Sequence, residues 1–452
     1  MGCNEGTYSS PRVTSEYKDC SLAITFDQYN VCGYGFGSNC AGCLYCFSNA
    51  QKIVNPKYGG KFSLRAVNPD KIIRQLKGDL KTAYYDNFFK HRFPLHWGGL
   101  AEPFCPIELK EKVGLKILQY CDSVQYPIIF STKGAYQAYE KDYVKIWKSY
   151  TKTKNLGWSF SIITNRDDIA AQVEMGVPST TERLKAMKVI SDMGFWTVLR
   201  LRPFIIGVSD IELEILMERA AEAGAKAIST EFFCIDLRSM GILKDRVESI
   251  NKITDIDTVE YYRKLSPTSR GTYLRLNSLV KESYVKRMLK ACKKYGLKFA
   301  ISDPDFKAYN FSGCCCGYPE TKEEYNSEIC NWSRGQLTYH LSKLRKKYWE
   351  GQGKEAVYLT WDEVKNTVAN DWACEHRYFS DSIKYWTTDN RKRTQGHINE
   401  FLETWNNTRA ADNPYNYFDG VLVPDHLDVN SNIVFRYSPN ESELRINKEL
   451  GI

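Results

Sequence analysis

Strand-like and helix-like segments alternate between residues 22 and 301, which predicts an α/β protein with a parallel sheet covered by helices. The strand-like runs are short and apolar, and Gly157, Gly194 and Gly296 stand where helix-to-strand turns are expected. In chain order, residues 22–26 form the first run and FPLHWGGL (93–100) the second. YPIIFSTKG, LGWSFSIIT, FWTVLRLRPFIIG and AKAISTEFF supply the third to sixth, and GLKFAISD one more. Between them lie amphipathic stretches such as residues 179–194, which open on the capping candidates Ser179 and Thr180 and close at Gly194.

A chain of 452 residues is expected to form one large domain or two to three modest ones. Its 43% hydrophobic and 26% charged residues are those of a soluble globular protein. No apolar run approaches the roughly 18–20 residues needed to cross a bilayer. The opening MGCNEGTYSSPR lacks the apolar stretch of a secretory signal, and Gly6 stands where a myristoylation motif needs Ser or Thr. A cytoplasmic protein without membrane contact is expected. The net charge of +8 is compatible with a nucleic-acid partner and does not require one. Fifteen cysteines are many for such a chain, and their odd number argues against a disulfide framework. In a reducing compartment, clustered thiols point to metal binding or redox work.

The densest group is NVCGYGFGSNCAGCLYCF (30–47), where Cys32, Cys40, Cys43 and Cys46 follow the first strand on a loop marked by Gly33, Gly35 and Gly37. Thiols beyond the carboxyl end of a strand suit a ligand site in an α/β fold. Zinc would take all four thiolates and close its tetrahedron. An iron–sulfur cubane takes thiols at two-residue intervals, and compression into one loop favours the cluster over zinc.

CLYCF resembles the end of the cluster loop in radical S-adenosylmethionine (SAM) enzymes, whose pattern is C-x3-C-x2-C after the first strand of a partial (β/α)6 barrel. The resemblance covers residues 20–320 and is nearest to the spore photoproduct lyase branch. It implies a TIM-like partial (β/α)6 barrel and a [4Fe–4S] cluster held by three thiols. SAM would chelate the open iron and be cleaved to a 5′-deoxyadenosyl radical that abstracts hydrogen from a substrate. It also implies an electron donor such as flavodoxin or ferredoxin. Cys43 and Cys46 match the second and third ligands, while Asn39 stands where the first should be. Cys32 and Cys40 both remain candidates for it. DQYNVC (27–32) resembles the branch's N-P-Y-x-x-C lead-in and favours Cys32.

The same resemblance extends to the SAM site. Gly98 and Gly99 match a glycine motif whose backbone meets the methionine ammonium, and Glu102-Pro103 matches an acid followed by proline. Lys133 resembles a lysine that meets the SAM carboxylate. Ser159 and Ser161 share one face of the fourth strand, and Arg200 and Arg202 one face of the fifth, within reach of ribose or carboxylate. Residues 173–187 resemble the stretch E-P-G-x-P-s-x-x-R-L, with Glu174 and Arg183 matching. By themselves these two would be read as capping and pairing a helix. Tyr45 and Phe47 are expected beside the cluster, and Tyr45, Cys105 and Cys315 are the candidate catalytic side chains. Members of the branch carry a donor cysteine just before the acid that Glu102 matches. Here that stretch is GGLA, with Cys105 slightly beyond, so lyase activity on that lesion is not expected.

Cys314, Cys315 and Cys316 form a second group, with Cys330 further on. They are read as an auxiliary iron–sulfur site, as a hydrogen donor or redox partner, or as buried small side chains. Residues 1–20 are expected to be an N-terminal extension, 21–320 the barrel and 321–452 a mostly helical C-terminal region with a polar tail. RGQLTYHLSKLRKKYWEGQG is a basic, aromatic helix candidate, fit either to bind DNA or RNA or to pack as a solvated helix. His376 and His397 are isolated and read as surface residues. Three functions follow: a radical SAM enzyme on a nucleic-acid base or nucleotide, one on a peptide or small molecule, or a non-catalytic zinc or iron–sulfur module.

Overall fold

The computed structural model describes residues 10–13, 24–34, 42–46, 48, 64–78, 89–264, 268–270, 273–330, 337–369, 384–386, 392–394 and 398–451. The chain divides into two compact units. The first comprises Met1–Arg12, Ile24–Leu76 and Pro94–Lys298; the second comprises Val13–Ala23, Lys77–Phe93 and Phe299–Ile452.

Among the described residues, the main sheet of the first unit includes six parallel strands: β1 (Ile24–Phe26), β2 (Leu95–Trp97), β3 (Ile128–Thr132), β4 (Leu156–Ser161), β5 (Trp196–Phe204) and β6 (Ala227–Phe232). Each pairs in parallel with the next, so chain order and sheet order coincide. Lys298 then donates its amide to the Lys226 carbonyl beside β6. Helices fill the connections, among them Val113–Ser123, Lys141–Tyr150, Thr180–Asp192 and Leu213–Glu222. This is the strand-crossover repeat of a partial, TIM-like (β/α)6 barrel.

Register assigns the two faces of this sheet. Phe26, Trp97, Phe130 and Trp158 stand side by side across β1 to β4. Phe26 meets Trp97 edge-on at 4.5 Å, and Trp158 meets Trp147 of the helix Lys141–Tyr150 at 4.9 Å. These aromatics bury the helix-facing side. The opposite face carries Thr25, His96, Ser131, Ser159, Ser161, Arg200 and Ser229. Ile129, Val198 and Ala227 share that face, so its polar groups stand among apolar ones.

The helix Thr180–Asp192 begins at Ser179 with a reciprocal capping box to Glu182, and Gly194 beyond its end has φ +88°. Gly296 likewise has φ +70° after the helix Ser278–Tyr295. Gly157 differs from expectation: it lies within β4, not before it, opposite Trp196 of β5.

The second unit includes the helices Leu337–Glu350, Trp361–Ala369, Ile398–Asn406 and Glu441–Leu450. Its core gathers Trp361, Phe401, Trp405, Phe418 and Phe435. It also holds an antiparallel sheet of Tyr358–Leu359, Ile433–Tyr437 and Leu422–Leu427, where an extended polar tail was expected. His376 and His397 lie outside the described residues.

Candidate functional site

The thiol loop leaves the carboxyl end of β1, and polar side chains tie that end to the end of β2. Asp27 accepts from the amides of Leu100 and Ala101 at 2.9 and 2.8 Å. Gln28 bridges the Trp97 indole N–H and the Pro103 carbonyl at 2.7 and 2.6 Å. The Gly98 amide donates to the Phe26 carbonyl at 3.0 Å. Gly98 has φ +99°, and a Cβ there would lie 2.2 Å from the Ser131 carbonyl oxygen. Its glycine character is therefore demanded by β3 before any ligand is considered.

Cys32, Cys43 and Cys46 are each partly accessible on this loop. Burial pushes the Cys32 thiol well above its ordinary pKa, and Glu102 and Cys43 add to the rise. Burial likewise drives Cys43 up to about 12, while Lys133 pulls the other way and Glu174 and Cys46 push with burial. Cys43 thus lies within electrostatic reach of Cys46 as well as of Cys32, and metal binding by thiols there must release protons. Cys40 and Phe47 lie outside the described residues. Among the described residues, no three Cys, His, Asp or Glu side chains stand close enough to hold one metal ion. A mononuclear zinc draws its ligands to a point, whereas a cubane offers each thiol its own iron and suits a wider spread. Cys32, Cys43 and Cys46 are thiol donors on one loop, the donor type that an iron–sulfur cubane takes.

Beneath the loop lies Cys105, fully buried. A Cβ on Gly33 would sit 2.8 Å from its sulfur, so the loop backbone packs directly on the thiol. Burial raises Cys105 to about 12 against the backbone N–H groups of Glu108 and Gly33.

The loop docks on the segment after β4. Cys43 forms a backbone bridge with Glu174, Leu44 donates to the Val173 carbonyl at 2.9 Å, and the Tyr45 hydroxyl donates to Glu174. Glu174 is in turn paired with Arg183 at 2.7 Å, both side chains wholly buried, and Arg183 donates to the Ser161 carbonyl at 2.6 Å. Lys133, at the end of β3, places its ammonium 4.0 Å from Glu174 and 5.7 Å from the centre of the Tyr45 ring.

Glu102 is buried and already engaged. It accepts from the Thr132 hydroxyl and from the amides of Phe104 and Lys133, the last at 2.6 Å. Burial raises its pKa, and these donors oppose the rise. In this structure Glu102 shapes the turn that presents Lys133. Ser159 and Ser161 are buried on the inner face of the sheet, with Ser161 opposite Arg200. The β5–β6 register slips after Leu201, and Arg202 there stands 3.9 Å from Glu231.

Sequence reading missed His96. Its Nε2 lies 2.8 Å from the Ser131 hydroxyl, and burial together with Arg200 and Arg202 lowers its pKa to about 3. A neutral imidazole therefore faces two guanidinium groups inside the barrel. The signal was available in the alternation of LHW, but the partners of His96 are remote in sequence.

In the second unit, Cys314 and Cys315 are buried, and the Cys315 and Cys316 sulfurs stand 3.9 Å apart. Cys330 donates its thiol to the Tyr325 carbonyl at 3.1 Å. These contacts give no support to an auxiliary cluster. The basic, aromatic helix Leu337–Glu350 spends its central residues within its own unit. Arg345 pairs with Glu443 at 2.9 Å and lies over the Tyr309 ring at 4.0 Å, while the Trp349 indole donates to Glu443 at 2.7 Å. Among the described residues, no helix is long and apolar enough to cross a membrane.

No family model matches the chain, and no curated protein matches it. Similar solved structures do exist. A spore photoproduct lyase variant matches with TM-score 0.47 and 14% identity, covering 66% of this chain and 80% of its own. Spore photoproduct lyase complexed with dinucleoside spore photoproduct matches with TM-score 0.45 and 15% identity over 64% of this chain and 80% of its own. SuiB of Streptococcus suis bound to S-adenosylmethionine matches with TM-score 0.37 and 15% identity over 63% of this chain and 51% of its own.

Proposed function

We propose that this protein is a radical SAM enzyme. The observation that carries the reading is the gathering of Cys32, Cys43 and Cys46 at the carboxyl end of β1 in a parallel α/β sheet, beside Lys133. Under this reading those three thiols hold a [4Fe–4S] cluster, with Cys32 in preference to Cys40 as the first ligand. When bound, the cluster supplies the electron that cleaves SAM and yields a hydrogen-abstracting radical.

The chain's own residues then have distinct tasks. Gly98 and Gly99 expose backbone at the end of β2, where an ammonium finds acceptors. Lys133 meets a carboxylate. Ser159, Ser161 and Arg200 or Arg202 offer donors from the inner face, and Arg202 is partly balanced by Glu231. Tyr45 lies against Lys133 and closes one side of the site. The aromatic layer of β1 to β4 keeps water from the helix-facing side.

For the substrate we favour a nucleic-acid base or nucleotide. The motif resemblance and the net charge of +8 support this class, whereas the basic helix contributes less than its sequence suggests, because Arg345 and Trp349 are held internally. The test is SAM cleavage by anaerobically reconstituted protein under dithionite, with single-stranded DNA, RNA or neither, at several salt concentrations. Release of 5′-deoxyadenosine, accelerated by a nucleic acid with a salt-sensitive affinity, is the expected result. Cleavage indifferent to nucleic acid moves the substrate to a peptide or small molecule. A protein that binds zinc through four ligands and never binds SAM is the non-catalytic module instead.

A further inference from the structure

Glu174 and Arg183 belong to the thiol-loop environment but have no task in the proposed chemistry. Their pairing is costly as a mere structural link. Both side chains are wholly buried, and taking two charges out of water is repaid only where the geometry fixes something specific. The helix beside them needs neither. Its start is capped by Ser179 and Glu182, not by Glu174 or Arg183.

What the pair fixes is visible in its contacts. Arg183 is anchored to the end of β4 through the Ser161 carbonyl at 2.6 Å and presents Glu174 from behind at 2.7 Å. Glu174 accepts the Tyr45 hydroxyl, and its backbone bridges Cys43, so the loop is tied to it on both sides of Leu44. The same carboxylate lies 4.0 Å from the Lys133 ammonium. One carboxylate thus faces two cations, Arg183 from behind and Lys133 from the side, and joins both to the loop.

We propose that Glu174, held by Arg183, is a positioning residue: it seats the Cys43–Cys46 segment against the barrel and sets Lys133 beside it before any metal arrives. This inference rests on the loop thiols being cluster ligands, but its test does not require a working cluster. Metal-free protein in native buffer is treated with iodoacetamide, and alkylation of each cysteine is followed by mass spectrometry in wild type, Glu174→Gln and Tyr45→Phe. Glu174→Gln breaks the charge pairing, while Tyr45→Phe removes only the loop's hydrogen bond and leaves the buried ion pair intact. Cys121 and Cys292 are buried elsewhere in the same unit and report whether the fold has opened.

Alkylation of Cys43 and Cys46 is expected to rise about tenfold in both variants, the effect of one lost charge-assisted hydrogen bond on a local opening. Cys121 and Cys292 should stay protected, and iron bound per chain after reconstitution should fall in parallel. Wild-type labelling rates at Cys43 and Cys46 in both variants, with Cys121 and Cys292 protected, would overturn the proposal. If Glu174→Gln also exposes Cys121 and Cys292, Tyr45→Phe alone decides in the same terms. A wild type that loads zinc, or never cleaves SAM, defeats the enzymatic reading and leaves the labelling result standing.

Discussion

Cys43→Ala is expected to abolish iron binding by the loop and, with it, SAM cleavage. Cys43 sits between Cys32 and Cys46 in the thiol group, and its charge is the one most directly coupled to Lys133. Residues around a metal ligand cost about 10–100-fold in affinity when removed, and loss of a ligand should exceed that range. The fold should survive, because a half-buried thiol replaced by a methyl group costs only about 1 kcal/mol. Iron and sulfide analysis after anaerobic reconstitution, with a thermal melt as control, separates the two effects. A variant that keeps its iron would remove Cys43 from the ligand set.

Gly98→Ala is expected to damage the fold itself. The backbone there has φ +99°, where a side chain is strained, and the new Cβ would lie 2.2 Å from the Ser131 carbonyl. Backbone cannot yield as a side chain can, so the end of β2 must part from β3. A loss of about 3 kcal/mol or more is expected, seen as a fall of roughly 5–10 °C in the melting midpoint. Gly99→Ala should be far milder, since its Cβ would meet side chains, Thr25 at 3.3 Å and His96 at 3.9 Å, and no backbone. Equal effects of the two substitutions would contradict this account of the turn.

The barrel strands were legible because each is a short apolar run between turn signals, and all six carry an aromatic on the helix-facing side. Their order followed from the alternation with helices. The hairpin of Leu422–Leu427 and Ile433–Tyr437 was not legible, because the first of these strands turns exposed residues outward at Asp425, His426 and Leu427. Gly157 was misplaced for a related reason. A glycine reads as a turn, yet here it lies inside β4 opposite Trp196.

At the site, residue types were easier to find than their tasks. Glu102 stood out as an acid before proline, but its oxygens serve Thr132, Phe104 and Lys133. Glu174 and Arg183 resembled a helix cap and pair, and only the tertiary structure joins them to the thiol loop. The basic and aromatic residues of Leu337–Glu350 suggested a nucleic-acid surface, while Glu443 takes both Arg345 and Trp349 inward. In each case the deciding partner is distant in sequence, and local pattern carries no information about it.

The central claim is that three protein thiols leave one iron open to SAM. Electron paramagnetic resonance of the dithionite-reduced, reconstituted protein, recorded with and without SAM, tests it most directly when Cys32→Ala and Cys40→Ala are measured beside the wild type. The account expects a reduced-cluster signal that changes on adding SAM in the wild type and in Cys40→Ala, and no such change in Cys32→Ala. A wild-type cluster signal indifferent to SAM, or zinc in place of iron, would contradict it.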